Sequence, residues 1–393
     1  MELKPGYKQT EVGVIPEDWD VQTMATLAKI TTGPFGTLLK ASEYSADGSG
    51  VPLVSVGEVR DGYIKITEHT PRVPPTVIRR LPQYVLRAGD IVFGRKGAVD
   101  RSALITKKEE GYFLGSDGIS VRLSGSCSPI YASCQLRSHR IRSWLLQNAI
   151  GTTMASLNQG ILKKIPLSLP PPPEQEAIAS ALSDIDDLIE SLDELISKKQ
   201  GIKQAAMQEL LTGKRRLPGF EGEWEMKRLG DVLSICHGKS QRDVEVTNGP
   251  YPILATGGQI GTAERPLYSR PSVLIGRKGT INKPQYMDTP FWTVDTLFYS
   301  EMKEVNSARF FYYLFCTIDW MQFNEASGVP SLNAKTIETI EVGCPTTQEQ
   351  DAIASVLSEL DAELAALVAR KVKAQQLKQG MMQQLLTGKI RLT

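Results

Sequence analysis

The sequence predicts an α+β fold in which two globular domains of mixed α/β character alternate with two long helices. Three observations carry this prediction. A helical stretch occurs twice, at a constant separation of 175 residues. The segment before each copy holds short β-branched runs between glycine and proline turns, which is typical of strands. The 393-residue chain is 41% hydrophobic, which is enough apolar material for more than one packed core.

The repeated stretch covers residues 174–214 and 349–389. Both copies begin with Glu-Gln-x-Ala-Ile-Ala-Ser and end with Leu-Leu-Thr-Gly-Lys, with no insertion between these ends. A spacing this long exceeds the period of a solenoid and indicates a duplicated half-molecule. We therefore expect counterparts throughout the chain, including Trp19 and Trp224, which open the two globular segments.

Apolar residues in both copies recur with the seven-residue spacing of a coiled coil. We expect rods of roughly 57 Å that pair antiparallel about a pseudo-twofold axis. Packing of each rod on its own globular domain is the alternative. Glu174 and Glu349 are expected to favour the positive end of the helix dipole, and Gly213 and Gly388 to cap the helix ends. The predicted subunit and coiled-coil interface residues are Ile178, Leu182, Ile185, Ile189, Leu192, Ile196, Ile353, Leu357, Leu360, Leu364, Leu367 and Leu385.

The repeat divides the chain into four expected segments. They are a first globular domain at 1–169, a first spacer helix at 170–214, a second globular domain at 215–345 and a second spacer helix at 346–393. The strands expected from β-branched runs are 51–56, 63–67, 90–93 and 119–123 in the first domain and 251–255 and 272–275 in the second. The helices expected from apolar spacing within the domains are 130–150 and 309–322.

The sharpest match between the globular domains is a Gly-Arg-Lys-Gly tetrapeptide that follows a predicted strand in each. Glycines let a backbone approach a phosphate, and paired cations neutralise it, so the recurrence favours a nucleic-acid contact. A solvated turn with two exposed charges is the alternative. The predicted DNA-binding residues are Gly94, Arg95, Lys96, Gly97 and Arg101 in the first domain, and Gly276, Arg277, Lys278, Gly279 and Lys283 in the second.

Other polar and basic residues are weaker candidates for DNA contact. Arg137, His139, Arg140 and Arg142 form a run on a predicted helix that either contacts DNA or is a solvated face. Gln259 joins the paired cations as a candidate for reading bases, because glutamine can bond adenine. The net charge of +1 argues against a wholly basic nucleic-acid-binding domain, so any DNA contact must be a local patch.

Motifs for catalysis are missing. The Gly-Lys-Ser at Gly238 lacks the earlier glycine of a phosphate-binding loop, and the three histidines have no metal-ligand spacing. Glu301-x-Lys303 has the short pattern of a metal-dependent nuclease, but the first domain has no equivalent. Asp117 and Asp295 recur before apolar runs and are interpreted as turn residues. We expect no catalytic site, no metal and no cofactor on this chain.

The five cysteines are odd in number, scattered and without a Cys-x-x-Cys pair. This pattern predicts reduced thiols and a cytoplasmic location. The sequence contains no apolar run of the roughly 18 residues that a membrane-spanning helix needs.

The order of these features resembles the specificity subunit of type I restriction–modification enzymes. The resemblance covers nearly the whole chain and is strongest at 170–180, 345–355, 210–214 and 385–389. It implies two target-recognition domains, each reading one half of a split double-stranded DNA sequence. It implies that the helices set the gap between the halves and dock two methyltransferase (modification) subunits, to which restriction–translocase subunits add. It also implies that S-adenosylmethionine, ATP and Mg²⁺ act on those partner subunits.

Two other classes stay open. A nuclease or methyltransferase that acts on DNA alone would need the motifs that are missing. A coiled-coil scaffold without a DNA role would leave the recurrent Gly-Arg-Lys-Gly unexplained, although the nearly neutral globular domains are compatible with it.

Overall fold

The computed structural model describes residues 5–125, 127–151 and 155–392. The chain forms two compact units, one of Met1–Ser191 with Lys371–Thr393 and one of Leu192–Arg370. Each unit therefore contains one globular part and a portion of both long helices. Among the described helices, none combines the length and the apolar character needed to cross a membrane.

The first unit contains eleven short strands among its described residues, and the first long helix begins in it. Its elements are β1 (Tyr7–Thr10), β2 (Gly13–Pro16), β3 (Asp20–Thr23), α1 (Met24–Leu27), β4 (Ala28–Thr32), β5 (Val51–Val54), β6 (Arg72–Val73), α2 (Pro75–Arg80), β7 (Ile91–Gly94), β8 (Ser102–Leu104), β9 (Phe113–Leu114), β10 (Gly118–Leu123), α3 (Pro129–Leu136), α4 (His139–Asn148), α5 (Gln159–Lys163), β11 (Pro166–Leu169) and α6 (Pro172–Leu210).

The second unit repeats this plan with fewer elements. They are β12 (Glu225–Arg228), α7 (Leu229–Val232), β13 (Leu233–His237), β14 (Tyr251–Ala255), β15 (Gly258–Ala263), β16 (Ser272–Gly276), β17 (Gln285–Met287), β18 (Trp292–Thr293), β19 (Leu297–Met302), α8 (Ala308–Thr317), α9 (Ala334–Glu338), β20 (Glu341–Cys344) and α10 (Thr347–Leu385).

The sheets of the two units have the same topology. An antiparallel sheet in the order β4-β10-β7-β8 corresponds to β13-β19-β16-β17. A three-stranded sheet in the order β6-β5-β9 corresponds to β15-β14-β18, and its parallel pair, β5 with β9, corresponds to β14 with β18. The pairs β3–β11 and β12–β20 close each globular part beside a long helix. The predicted duplication is therefore confirmed for β3 to β11, which correspond to β12 to β20, while the β1–β2 hairpin has no counterpart among the described residues of the second unit.

The core of each unit joins the globular part to the ends of both long helices. In the first unit, Ile178 of α6 and Leu385 of α10 are buried with Trp19 in one cluster. In the second, Leu210 of α6 and Ile353 of α10 are buried in the equivalent cluster. The helix ends therefore pack on the globular parts as well as on each other, so both packing modes considered from the sequence occur.

Three of the expected local elements differ from the structure. The expected strand at 63–67 forms a single isolated bridge, between Ile64 and Val59. Tyr63 is 57% exposed, so the alternating pattern there does not bury a sheet face. The expected helix at 130–150 is two helices, α3 and α4, because the side chain of Ser138 accepts the backbone N–H of Ile141 and starts a new helix.

The expected helix at 309–322 is also shorter than its apolar pattern. Helix α8 ends at Thr317, and a 3-10 turn follows at Trp320–Phe323. The carboxylate of Asp319 accepts the backbone N–H of Met321 and caps that turn. The indole N–H of Trp320 donates to the carbonyl of Phe315, 2.8 Å away, which folds the turn back onto α8.

The long helices α6 and α10 contain 39 residues each and pair antiparallel within each unit. In the second unit, Lys199 lies 2.5 Å from Glu363, and Lys203 lies 2.5 Å from Asp361. Residue numbers therefore increase along α6 in the direction in which they decrease along α10. Asp186 pairs with Lys378 in the first unit in the same sense. The prediction of antiparallel paired helices is confirmed.

Candidate nucleic-acid interface

The Gly-Arg-Lys-Gly turn of the first unit follows β7 and is held by backbone hydrogen bonds on both sides. The N–H of Arg95 donates to the carbonyl of Asp117 at 2.8 Å. The N–H of Leu157 donates to the carbonyl of Arg95 at 2.8 Å, and the N–H of Gly97 donates to the carbonyl of Ala155 at 2.9 Å. The segment from Ala155 to Leu157, which precedes α5, therefore fixes the turn.

The turn of the second unit follows β16 and is held in the same way. The N–H of Arg277 donates to the carbonyl of Thr296 at 2.8 Å. The N–H of Leu332 donates to the carbonyl of Arg277, and the N–H of Gly279 donates to the carbonyl of Pro330, both at 2.9 Å. The sequence match between the tetrapeptides is thus a match in three dimensions.

The glycines are required by the turn itself. A Cβ on Gly94 would lie 2.7 Å from the side chain of Val56, and one on Gly276 would lie 2.2 Å from the carbonyl oxygen of Thr280. Gly97 and Gly279 have φ angles of +76° and +90°, which disfavour other residues. The turn therefore needs these glycines for its own backbone, so their recurrence is not by itself evidence of a phosphate contact, which stays a prediction.

The cations of both turns lie at the surface. The ammonium of Lys96, whose side chain is 52% exposed, is 3.6 Å from the Asp117 carboxylate, an exposed pair that costs little to break. The guanidinium of Arg277 donates to the carbonyl of Asp295 at 3.3 Å, so both recurring aspartates adjoin the turns. Each aspartate also lies in a turn of its own, which confirms its interpretation as a turn residue. Lys278 is exposed, as are the downstream cations Arg101 and Lys283.

The basic run on α3 and α4 is bonded to neighbouring groups of its own unit. Arg137 is 13% exposed and lies 3.5 Å from the Asp186 carboxylate of α6, so both interpretations of the run were wrong for this residue. The guanidinium of Arg140 donates to the carbonyl of Pro166. Arg142 pairs at the surface with Asp61, and His139 is exposed, so both interpretations stay open for these two residues.

The remaining candidates are dispersed. Gln259 is exposed near the start of β15, where its amide donates to the carbonyl of Gly261 at 3.1 Å. Glu301 accepts the hydroxyl of Tyr299 at 3.4 Å, and Lys303 donates to a backbone carbonyl instead of facing a common site. Within the described part of the chain, no group of three or more histidine, cysteine or acidic residues could hold a metal ion.

A buried carboxylate anchors the start of α6. Glu174 is 3% exposed and accepts the indole N–H of Trp19 at 3.0 Å. The guanidinium of Arg391, from the segment after α10, donates to both Glu174 oxygens at 2.7 and 2.9 Å and also to Asp18. The hydrogen bonds to Glu174 and Asp18 raise the pKa of Arg391. The hydrogen bond from Arg391 lowers the pKa of the Asp18 carboxyl.

The second unit repeats this arrangement, which we call the clasp. Glu349 is 1% exposed and accepts the indole N–H of Trp224 at 3.2 Å and two bonds from Arg216 at 2.6 Å. The clasps are therefore Trp19, Glu174 and Arg391 in the first unit and Trp224, Glu349 and Arg216 in the second. Glu174 and Glu349 lie in the first turn of their helices, where the sequence predicted that they favour the helix dipole, and the guanidinium and the indole are additional partners. The predicted equivalence of Trp19 and Trp224 is confirmed.

The glutamine that follows each clasp glutamate orients the globular part. The side-chain oxygen of Gln175 accepts the N–H of Ser128, the N-cap of α3, at 2.9 Å. That of Gln350 accepts the N–H of Ser307, the N-cap of α8, also at 2.9 Å. The Glu-Gln pair of the repeated motif thus links each long helix to a tryptophan and to a helix of the globular part.

The predicted interface positions differ in burial along the helices. The buried ones are Ile178, Leu182, Ile185, Leu192, Ile196, Ile353, Leu357 and Leu385, while Ile189, Leu360, Leu364 and Leu367 are half-buried. Polar residues interrupt this pattern at equivalent places. In the second unit Asp361 accepts the hydroxyl of Tyr313 at 2.7 Å as well as Lys203, and in the first Asp186 faces both Lys378 and Arg137.

The sequence pattern of the type I restriction modification DNA specificity domain matches residues 16–199 and 221–376, most of the chain. The chain belongs to this family. Among curated members, it is 24% identical to the type I restriction enzyme MjaX specificity subunit of Methanocaldococcus jannaschii, over 98% of this chain and 97% of that one. It is 28% identical to the MjaVIII specificity subunit of the same organism, over 54% of this chain and 49% of that one.

Solved structures agree with the family in fold. The S subunit of a type I restriction–modification system from M. genitalium superposes with a TM-score of 0.66 at 18% identity, covering 98% of both chains. A chain from a structure on complex assembly of a type I system gives 0.53 at 16% identity, covering 96% of this chain and 99% of that one. The predicted α+β fold with an internal repeat is confirmed, and so is the interpretation as a non-catalytic specificity subunit.

Sequence reasoning missed the clasps of this specificity subunit and the Asp–Lys pairs between its helices. Each had an indication in the repeat. Arg216 and Arg391 are separated by the same 175 residues as the two helical stretches, and so are Lys203 and Lys378. A charged residue that recurs inside or just after a duplicated apolar pattern indicates a specific partner, and the sequence alone does not reveal which one.

Proposed function

We propose that this family member acts as the DNA sequence-specificity subunit of a type I restriction–modification complex. Each globular part reads one half of a bipartite duplex target. The observation that carries the proposal is the pair of Gly-Arg-Lys-Gly turns, held by equivalent backbone bonds and presenting exposed cations in both units. Arginine and lysine on a rigid turn can bind phosphates and guanine edges. The proposed DNA-binding residues are those predicted above.

The remaining surface suits a subunit that works with partners. Net charge is only +1, so the electrostatic attraction to DNA is modest and partner proteins are needed to hold the duplex. We propose two methyltransferase subunits and additional restriction–translocase subunits as those partners. S-adenosylmethionine, ATP and Mg²⁺ belong to them in this scheme. The five free thiols are compatible with a cytoplasmic setting.

We further propose that the helices set the gap between the two half-sites. The functional division is then two target-recognition domains at 1–169 and 215–345 with spacer helices at 170–214 and 346–393. A helix of 39 residues is about 58 Å long, the length of about 17 base pairs. The clasps support this division, because they fix each globular part to the start of one helix and the end of the other.

Mapping of methylated bases tests the proposal. The chain would be co-expressed with the modification and restriction subunits encoded beside it, in cells that lack other methyltransferases. The expected result is methylation at one asymmetric sequence made of two short blocks separated by a fixed gap of unspecified bases. Methylation at a single continuous sequence, or methylation by this chain purified alone, would contradict the proposal.

Helix length tests the spacing role separately. Inserting four residues at equivalent positions in both helices lengthens each rod by about 6 Å, which is about two base pairs. Both sequence blocks should stay the same while the tolerated gap changes by one or two base pairs. An unchanged gap would exclude the helices as the measuring element without affecting DNA recognition by the globular parts.

A further inference from the structure

A second loop shares the sheet edge that carries the Gly-Arg-Lys-Gly turn of the first unit. In the antiparallel register, Gly94 at the end of β7 lies opposite Gly118. Thr32 at the end of β4 lies opposite Ile119, the next residue of β10. The N–H of Gly33 then donates to the carbonyl of Gly118 at 2.9 Å. Residues 33–40, which we call the edge loop, therefore leave the sheet beside the turn.

The edge loop is firmly held at its base. A Cβ on Gly33 would lie 1.8 Å from the carbonyl oxygen of Gly115, so the loop begins in direct backbone contact. Leu39 is 6% exposed and packs in a core cluster of the first unit. Arg80 donates to the carbonyl of Leu38 at 3.1 Å and to the carboxylate of Glu43 at 2.6 Å. Such a loop can present its side chains in a defined direction.

Two large apolar side chains are exposed on the edge loop. Phe35 is 58% exposed and Leu38 is 47% exposed, although their neighbour Leu39 is buried. The guanidinium of Arg95, from the Gly-Arg-Lys-Gly turn, lies 5.4 Å from the centre of the Phe35 ring. An exposed aromatic ring beside a cation suits a nucleic acid, because the ring can stack on a base while the cation meets the phosphate.

The second unit has the same loop with different chemistry. Residue Gly238 follows β13, and a Cβ there would lie 2.0 Å from the carbonyl oxygen of Val294, as for Gly33. Val244 is 2% exposed and anchors the loop as Leu39 does. Between these anchors Lys239 and Arg242 are exposed, and no apolar side chain takes the place of Phe35. An element that is fixed in position and varied in chemistry is what two different half-sites require.

We propose that Phe35 stacks on or wedges between bases of the first half-site, with Arg95 guiding the ring to the duplex. This inference depends on the proposed DNA-recognition function and specifies one of its contacts. It also gives the Gly-Lys-Ser segment at Gly238 a role, as the corresponding polar loop for the second half-site.

Fluorescence of 2-aminopurine tests the wedge. The complex with its modification subunits would be titrated with duplexes that carry 2-aminopurine at successive positions of the mapped first half-site. Binding of the unaltered complex should raise the emission at one base step, because an unstacked 2-aminopurine is no longer quenched. Phe35→Ala should abolish that rise and weaken binding about tenfold or more, while Phe35→Trp should preserve both.

Tyr63→Ala is the matched control, since Tyr63 is an exposed aromatic residue of the same unit at 57%. It should leave emission and affinity unchanged. If Phe35→Ala has the same affinity and the same 2-aminopurine emission as the unaltered complex, base contact by Phe35 is excluded and the proposed function stands. If the unaltered complex does not bind the sequence that it methylates, the proposed function itself fails. An equal loss of affinity for Phe35→Ala on specific and unrelated DNA would also overturn base contact.

Discussion

Arg391 donates two hydrogen bonds to Glu174, a carboxylate that is 3% exposed and lies 217 residues earlier in the chain. The contact joins the segment after the second long helix to the start of the first. Trp19, from the globular part, donates to the same carboxylate. Three distant parts of the sequence therefore meet at one buried charge. In the second unit the corresponding carboxylate, Glu349, binds Arg216 and Trp224, which lie close together in sequence.

Removal of the guanidinium should destabilise the first unit. In Arg391→Ala, Glu174 keeps its buried position and loses its counter-ion. Breaking a fully buried pair costs about 3–5 kcal/mol, and because the Arg391 side chain is 28% exposed we expect about 2 kcal/mol. Urea unfolding followed by tryptophan fluorescence measures this, because Trp19 reports on the clasp. Lys389→Ala, an exposed cation of the same segment, should change the free energy of unfolding by less than about 0.5 kcal/mol.

Exchanging the charges of Asp361 and Lys203 should measure how much this ion pair stabilises the second unit. Lys203→Asp alone places a second carboxylate beside Asp361 and the hydroxyl of Tyr313, so the second unit should unfold at lower temperature. Adding Asp361→Lys should restore most of the loss. We expect a coupling energy of about 1 kcal/mol from the double-mutant cycle. The same exchange at Lys199 and Glu363, where the glutamate is 53% exposed, is the control and should show weaker coupling.

Two glycines near the end of the second long helix should respond oppositely to alanine. Gly388 has a φ angle of +67°, and a Cβ there would lie 2.4 Å from Pro16, so Gly388→Ala should destabilise the first unit by about 1–3 kcal/mol. Gly380 lies inside α10 with no atom within 4 Å of a Cβ, so Gly380→Ala should stabilise by about 0.5–1 kcal/mol. Thermal unfolding of both variants checks the signs, and equal shifts would contradict the difference in environment.

Loss of the turn cations should weaken DNA binding in a salt-dependent way. Arg277→Ala with Lys278→Ala removes one half-buried and one exposed cation of the turn, so the slope of log affinity against log salt should fall by about two. The measurement is a titration of the assembled complex at several salt concentrations. Lys107→Ala with Lys108→Ala removes the same charge from an exposed pair of the first unit. An equal change in slope for both double variants would show that bulk charge, and not the turn, determines binding.

The parts of the structure that could be predicted from the sequence depend on short-range patterns. The seven-residue spacing predicts both long helices, which are observed at 172–210 and 347–385. Each helix begins two residues before its repeated segment and ends inside it. The duplicated tetrapeptide identifies the two turns, because its glycines are needed for the local backbone. The expected strand at 63–67 was wrong because alternation predicts a strand only where one face is buried, and Tyr63 is exposed.

The contacts that could not be predicted join residues far apart in sequence. Nothing near Glu174 indicates that its partner is Arg391, and nothing near Arg137 shows that it turns toward Asp186 of α6 instead of solvent. A basic run is compatible with solvent, DNA or an internal carboxylate until the fold selects one. Comparison of the two halves would have reduced the number of possible partners for the charged residues of the long helices, because Asp186 and Asp361 occupy equivalent positions and pair with equivalent lysines.

The way in which Gln175 and Gln350 bind the globular parts has a consequence for how new specificities can arise. Each amide oxygen accepts a main-chain N–H, which every residue except proline supplies at that position. The neighbouring glutamates, Glu174 and Glu349, each accept one hydrogen bond from a tryptophan indole of the globular part. A foreign recognition module that supplies one tryptophan and one helix start could be grafted between the same helices. The attachment points impose almost no sequence on the surface that reads DNA, so that surface is free to diverge.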